Sequence, residues 1–287
     1  MNFRKAYATF AMATAISALA LSAASSFAAG DTKKMQAIET AVAGSWRPAQ
    51  EKARDGDRHP ADALHFWGLK PGMSILEIDP GGGWWTNILA PYARLTKSEF
   101  TATAANLDDP ALSEGAKKRR ADFAAKYSDA AIYGKVNLVN FDGKPAPLPA
   151  NKYDFVLLAR ALHNWNHDGS TAANLANIFN ATKPGGVLAI EQHRAPPTQD
   201  AATYNGYVTE QLVIDAATKA GFKLTSKSEI NANPKDTKDH PFGVWTLPPV
   251  RQSSADGKPV DPSFDRAKYD AIGESDRMTL RFVKPKK

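Results

Sequence analysis

Ile75-Leu76-Glu77-Ile78-Asp79-Pro80-Gly81-Gly82-Gly83-Trp84-Trp85-Thr86 is the stretch whose reading decides the fold. Its first residues form a short apolar run suited to a buried strand, Pro80 and three glycines make a sharp turn, and the spacing from Trp84 onward is helical. A helix N-terminus leaves backbone N–H groups unpaired and carries partial positive charge. Glycines in front of it let an anionic or zwitterionic ligand approach the main chain closely. The same turn also occurs in α/β domains that bind nothing, so the remaining strand ends have to separate a ligand site from a plain connection.

Working outward toward the N-terminus, the strand Ser74 to Ile78 is preceded by a turn at Leu69 to Met73 and a helix around Ala61 to Trp67. Before these come a charged turn from Arg54 to Pro60 and a helix from Thr32 to Ala43. Toward the C-terminus, helical spacing at Trp84 to Ala93 leads to a second strand, Phe100 to Ala105, and a charged helix from Ala111 to Tyr127. Val136 to Asn140 is a third strand, and Tyr153 to Leu158, the most apolar, a central one. A loop from Ala161 to Gly169, a helix to Phe179, a turn at Lys183 to Gly186 and a strand at Val187 to Ile190 come next. Tyr207 to Ala220 is helical, Phe222 to Ile230 and Met278 to Lys284 are strands, and Asn231 to Asp276 reads as one long loop. Strands alternating with helices predict a doubly wound, mostly parallel sheet of seven strands with N-terminal helices and a long irregular insertion before the last strand. Ligands of such sheets sit at the C-terminal strand ends, where the strand order reverses.

Composition narrows the function classes. With 287 residues, 43% hydrophobic and 23% charged, the chain suits one globular α/β domain with extra segments. A net charge of +6, with no basic run interleaved with aromatics, gives no support to nucleic-acid binding. The absence of cysteine excludes disulfides, thiolate metal sites and cysteine nucleophiles. Residues 1–28, with Arg4-Lys5, an apolar run and Ser26-Phe27-Ala28, read as a signal peptide. The run falls short of the roughly 20 strongly apolar residues of a spanning helix. The expectation is therefore a periplasmic or secreted protein that is not inserted in the membrane once the signal is cleaved. The remaining residues, 29–287, form a single domain: a helical segment at 29–73, a core at 74–230, an extended loop at 231–276 and the last strand at 277–287.

Taken together, the strand ends resemble class I methyltransferases that use S-adenosylmethionine, similar in core to those of quinone biosynthesis. The residues that carry the resemblance are Glu77-x-Asp79-x-Gly81-x-Gly83; Asp142 with Leu148-Pro149 and Tyr153-Asp154; Leu162-His163-Asn164-Trp165; and Lys183-Pro184-Gly185-Gly186-Val187-Leu188. The flanking Arg54 to Pro60, Pro80 to Tyr92, Asn233-Pro234-Lys235-Asp236 and Gly243 to Pro249 are similar to exported methyltransferases of proteobacteria.

The resemblance implies a Rossmann-like class I methyltransferase fold, S-adenosylmethionine as cofactor and a small-molecule acceptor. It implies that Gly81 and Gly83 admit the methionine part, that Glu77 fixes the loop from beneath, that Asn106 or Asp108 takes the ribose hydroxyls and that Asp142 takes the adenine amino group. Asp142 before Gly143 is equally a common turn residue. His163 and His193 are the candidate catalytic bases, and either can instead be a structural hydrogen-bonding residue. Trp84, Trp85 and Trp165 offer ring faces to a sulfonium, with packing as the competing role. No metal site is expected: the four-residue spacing of His163 and His167 serves a helix, and the residues around them read as a loop.

This chain departs from the family pattern at Asp79, which stands where the motif has its first glycine, and at Asn106, which stands where an acid is usual. The bulk and charge of Asp79 oppose the cofactor's carboxylate unless they pair with its amino group. Two rival readings follow: a non-catalytic binding protein that retains the fold, and an NAD-dependent oxidoreductase with a related Gly loop. The Lys183 to Gly186 turn and a last strand able to insert antiparallel favour the methyltransferase arrangement over the oxidoreductase.

Overall fold

The structure is a computed structural model and describes residues 36–141 and 147–286. Seven strands form one sheet: β1 Ser74–Ile78, β2 Glu99–Ala104, β3 Val136–Asn140, β4 Tyr153–Ala159, β5 Thr182–His193, β6 Lys223–Ser228 and β7 Arg277–Val283. Their spatial order is β3-β2-β1-β4-β5-β7-β6. The first five are parallel, and β7 runs antiparallel between β5 and β6. This is the Rossmann-like, mostly parallel sheet expected from the alternating pattern. The order reverses between β1 and β4, and the cleft of the molecule opens there.

Strand periodicity explains why helices cover both faces. Ile75 on β1, Phe155 and Leu157 on β4, and Val187 and Ala189 on β5 pack into one core, against the helices at 36–43, Pro60–Trp67 and Thr86–Thr96. Their sequence neighbours Leu76, Val156, Leu158, Leu188 and Ile190 point the other way. They pack against helices Leu162–Asp168, Thr171–Ala181 and Glu210–Lys219. Strands buried on both faces are rich in apolar residues throughout, as β1 and β4 are. β6 is the edge strand and exposes its Lys223 and Lys227 side, a pattern that discourages edge-to-edge association.

Several segments differ from their sequence reading; the turn expected at Lys183 to Gly186, for one, falls inside β5. Residues 162–168 form a short helix rather than a loop, seated by the buried Leu162, His163 and Trp165 and closed by Gly169 at φ +76°. The charged turn at 54–60 contains a helical turn, Asp55–Arg58, whose Arg58 is only 3% exposed. The long loop 231–276 is packed rather than loose. Asp236 in its first part is buried and accepts from Tyr207 Oη at 3.0 Å and from the backbone N–H of Asp276 at 2.8 Å; the His240 ring nitrogen Nε2 lies 2.8 Å from it. Residues 1–28, read as a signal peptide, lie outside the described residues. Among the described residues no helix is long and apolar enough to cross a membrane.

Candidate active site

The tips of β1, β2 and β4 border a cavity of about 580 Å³ at the switch point. That is the size range of small-molecule and cofactor sites. Asp79, Gly81, Thr103, Phe141, Arg160 and Asn164 line it. Two of these have strained backbones. Asp79 and Arg160 follow β1 and β4 directly and sit at φ +48° and +59°, in the left-handed region that costs a non-glycine residue about 1–2 kcal/mol. The first value explains why a glycine suits position 79, and why an aspartate, which tolerates that conformation better than most side chains, is a workable replacement. The Asp79 backbone N–H is held by Thr103 Oγ1 at 2.8 Å.

The two motif glycines have different reasons to be glycine. Gly81 has φ +55°, is exposed to the cleft, and a Cβ added there meets nothing within 4 Å. Its bare backbone is therefore open to a ligand. At Gly83 a Cβ would stand 1.8 Å from Tyr127 Oη, which donates to the Gly83 carbonyl at 3.0 Å. Gly83 makes room for a protein side chain and does not line the cleft.

Glu77 lies beneath the loop, 2% exposed, and accepts from Thr86 Oγ1 at 2.7 Å, tying the end of β1 to the first turn of the following helix. Burial pushes its pKa up to about 8; the Thr86 hydrogen bond and Arg160 oppose that rise. Asn106 and Asp108 are not among the cavity's lining residues. Asn106 Oδ1 accepts from the Asp108 backbone at 3.0 Å in an Asx turn, and Asn140 Nδ2 donates to Asp108 Oδ2 at 2.9 Å. Asp142 lies outside the described residues. Trp84, Trp85 and Trp165 are packing residues: all three are buried, Trp84 meets Trp85 edge-on at 4.9 Å, and Trp165 meets Phe141 at 6.0 Å.

His163 and His193 come together, their ring centroids 5.8 Å apart, at a distance from Gly81 that puts them in other cavities. His163 is 8% exposed and lies 3.3 Å from Gln192 Nε2. Burial lowers its pKa to about 4, with the Gln192 contact opposing and Arg160 adding to the shift. His193 is depressed well below its ordinary value by burial first, then by His163, Arg160, Arg277 and Arg58. His163 and His167 share the helix Leu162–Asp168, but His167 stacks on Tyr204 at 3.9 Å. Among the described residues no group of three or more His, Cys, Asp or Glu side chains could hold a metal.

Beside His193 lies a second cavity, of about 180 Å³, that the sequence did not announce. Arg54, Arg58 and Arg160 line it, so Arg160 borders both cavities. Glu274 binds Arg54 Nε at 2.6 Å and Arg58 Nε at 2.8 Å, and Arg277 Nη1 at 2.7 Å. Glu191 lies 3.2 Å from Arg277 and 3.8 Å from Arg160. Burial opposes ionisation of Glu274, but Arg58, Arg277 and Arg54 outweigh it and hold the carboxyl at about 2. Glu191, wholly buried, is likewise held below the usual carboxylate range by Arg277, Arg160 and Arg58. The arginines were hard to find in sequence because their partners are far away in it: Arg58 and Glu274 are 216 residues apart.

A family model described as a methyltransferase domain matches residues 51–227, from the N-terminal helical segment to β6. The chain belongs to the methyltransferase domain family. Members similar to this methyltransferase domain include the ubiquinone/menaquinone biosynthesis C-methyltransferase UbiE of Shewanella pealeana, 28% identical over 129 residues, 45% of this chain and 46% of the relative. UbiE of Pseudomonas putida is 24% identical over 224 residues, 77% of each chain. The chain spans about half the length of the first of these curated relatives that it matches. Among solved structures, a putative sarcosine dimethylglycine methyltransferase from Galdieria sulphuraria superposes with a TM-score of 0.51 at 14% identity, covering 82% of this chain and 88% of that one. The [4+2]-cyclase SpnF also superposes at 0.51 and 14%, covering 80% and 81%. These likenesses establish the class I fold, and the cyclase is a reminder that one fold hosts more than one reaction.

The expected fold and the expected family agree with these matches. The expected resemblance to exported proteins and the periplasmic or secreted location do not: the curated relatives are enzymes of ubiquinone/menaquinone biosynthesis.

Proposed function

We propose that the protein is an S-adenosylmethionine-dependent methyltransferase acting on a small-molecule acceptor. The observation that carries this reading is the cavity at the β1/β4 switch point, with the open backbone of Gly81 and the carboxylate of Asp79 on its walls. A zwitterionic amino-acid group needs both: a carboxylate for its ammonium and bare backbone N–H groups for its carboxylate. The residues therefore fit the cofactor, and Asp79, which stands against it in the sequence, becomes a partner for the amino group. The ribose role of Asn106 or Asp108 and the adenine role of Asp142 rest on the family resemblance alone, since neither Asn106 nor Asp108 lines the cavity. When bound, S-adenosylmethionine supplies a methyl group already activated by its sulfonium, so the protein's own part is to position the acceptor and exclude water.

Of the two histidines, His193 borders the cavity beside Arg160 and is assigned the proton-accepting role. The His193 ring is oriented by Ser275 Oγ, 2.5 Å from its Nδ1, while His163, the other candidate base, is buried with its own Nδ1 at Gln192. Burial and the neighbouring arginines keep both rings neutral near pH 7 and make them weak bases, so the assignment of His193 rests on its place in the cavity.

Calorimetry tests the reading. S-adenosylmethionine and S-adenosylhomocysteine should both bind the purified protein. No heat with either at millimolar ligand would overturn it.

A further inference from the structure

We propose that the methyl acceptor is a small carboxylic acid with an apolar body, its carboxylate held by Arg54, Arg58 and Arg160 in the cavity beside His193. The proposal rests on the methyltransferase reading and deepens it. Four guanidinium groups, Arg54, Arg58, Arg160 and Arg277, meet two carboxylates, Glu191 and Glu274, in the ion pairs of this cluster. Two positive charges are left without a matching anion among the described residues. Burying unmatched charge is costly, and such a cluster is poised for an anion from outside.

The hydrogen-bonding inventory points the same way. Arg58 is 3% exposed, yet among the described residues its Nη1 has no hydrogen-bond partner; Arg160 Nη1 has none either and is held only by the Glu191 carboxylate 3.8 Å away. Both side chains line the cavity. Guanidinium N–H groups form a planar fork that matches a carboxylate in a bidentate way. Val244, Pro248, Pro249 and Val250 line the same cavity and give it an apolar part with no hydrogen-bonding side chain. A compact, fully hydrated anion would leave that part unused, whereas a carboxylate on a ring or branched aliphatic body satisfies both. At about 180 Å³ the space suits a ligand of benzoate size. Arg160, common to both cavities, sets such an acceptor next to the cofactor cleft.

Titration calorimetry with benzoate, benzamide and inorganic phosphate, on protein saturated with S-adenosylhomocysteine, tests this. Benzoate should bind, with benzamide and phosphate each weaker by about tenfold or more. Arg54→Gln, at the most solvent-accessible of the three arginines, should weaken benzoate by a similar factor, and Arg54→Lys should recover part of the loss. Affinity for S-adenosylhomocysteine should hold in both variants. Equal binding of benzamide and benzoate would overturn the proposal, as would unchanged benzoate affinity in Arg54→Gln. Tighter phosphate than benzoate would reduce the site to a general anion pocket, and displacement of benzoate by S-adenosylhomocysteine would hand the arginines to the cofactor; either result defeats the proposal. Silence from benzoate while S-adenosylhomocysteine binds defeats it alone and leaves the methyltransferase reading standing. Benzoate binding with no response to S-adenosylhomocysteine defeats the methyltransferase reading.

Discussion

The cleft at the strand tips and the arginine cavity share one wall at Arg160 but are built on opposite principles. The cleft is made by backbone: a bare glycine at 81, left-handed residues at 79 and 160, and a carboxyl at Glu77 that burial keeps protonated at neutral pH. The arginine cavity is made by side chains that burial would neutralise and that only mutual pairing keeps charged. Geometry holds the first together and electrostatics the second, so the two should fail in different ways.

The largest break is expected in the arginine cavity. Glu274→Ala leaves Arg58 and Arg277 buried without their best partner and should cost about 3–5 kcal/mol, read by urea denaturation. The corresponding change in the cleft, Gly83→Ala, forces a Cβ against Tyr127 and keeps a φ of +84°, for a loss of about 2–4 kcal/mol in the same experiment.

The two buried carboxyls should separate the regions by pH. Glu77 has a folded pKa of about 8, above its ordinary 4.5, so the unfolded chain releases its proton first and stability falls as pH rises from about 4.5 to about 8. The slope is at most about 1.4 kcal/mol per pH unit, and Glu77→Gln should remove it. Glu274 has the opposite sign: its pKa of about 2 lies below the ordinary 4.5, so its contribution is present above about pH 4.5 and is lost as pH falls toward 2. Denaturation midpoints measured across pH for the two variants would show whether these opposing trends exist.

Smaller effects sharpen the contrast within the glycine loop. Gly81→Ala should cost only about 1–2 kcal/mol of stability but weaken S-adenosylhomocysteine about tenfold, the reverse of the balance at Gly83. Equal losses of affinity at both positions would show that the loop acts as one unit. The smallest change is Asp79→Asn, which retains a side chain tolerant of φ +48° and removes the charge. Stability should move by less than about 0.5 kcal/mol while affinity falls several-fold, as calorimetry would record.

How much was legible in the sequence varied with how local the deciding interaction is. β1 and β3 have the limits expected from sequence, because the short Ser74–Ile78 run and the Val-Asn-Leu-Val-Asn run are each bounded by turn residues. The helix at 162–168 was misread because its Asn and Asp residues favour turns, while burial of Leu162 and Trp165 against the sheet overrides that preference. Gly81 stands open to the cleft, whereas Gly83 has a reason to be glycine that local sequence does not carry: only the fold brings Tyr127, 44 residues on, against it. The segment after β4 was marked for inspection by its position, but nothing in it said that Arg160 would border two cavities.

The sequence by itself determined the alternation of strands and helices, the strand ends at which a ligand must sit and the kind of loop that receives it. Each of these rests on periodicity and backbone freedom, which neighbouring residues specify. The tertiary structure alone decided that Arg58 leaves the surface, that Arg54 and Arg58 meet Glu274 beside Arg277 and line the cavity of His193, and that the cluster holds two more guanidiniums than carboxylates among the described residues. Whether a charge is buried, and against what, depends on residues some 220 positions apart, and no local pattern encodes that.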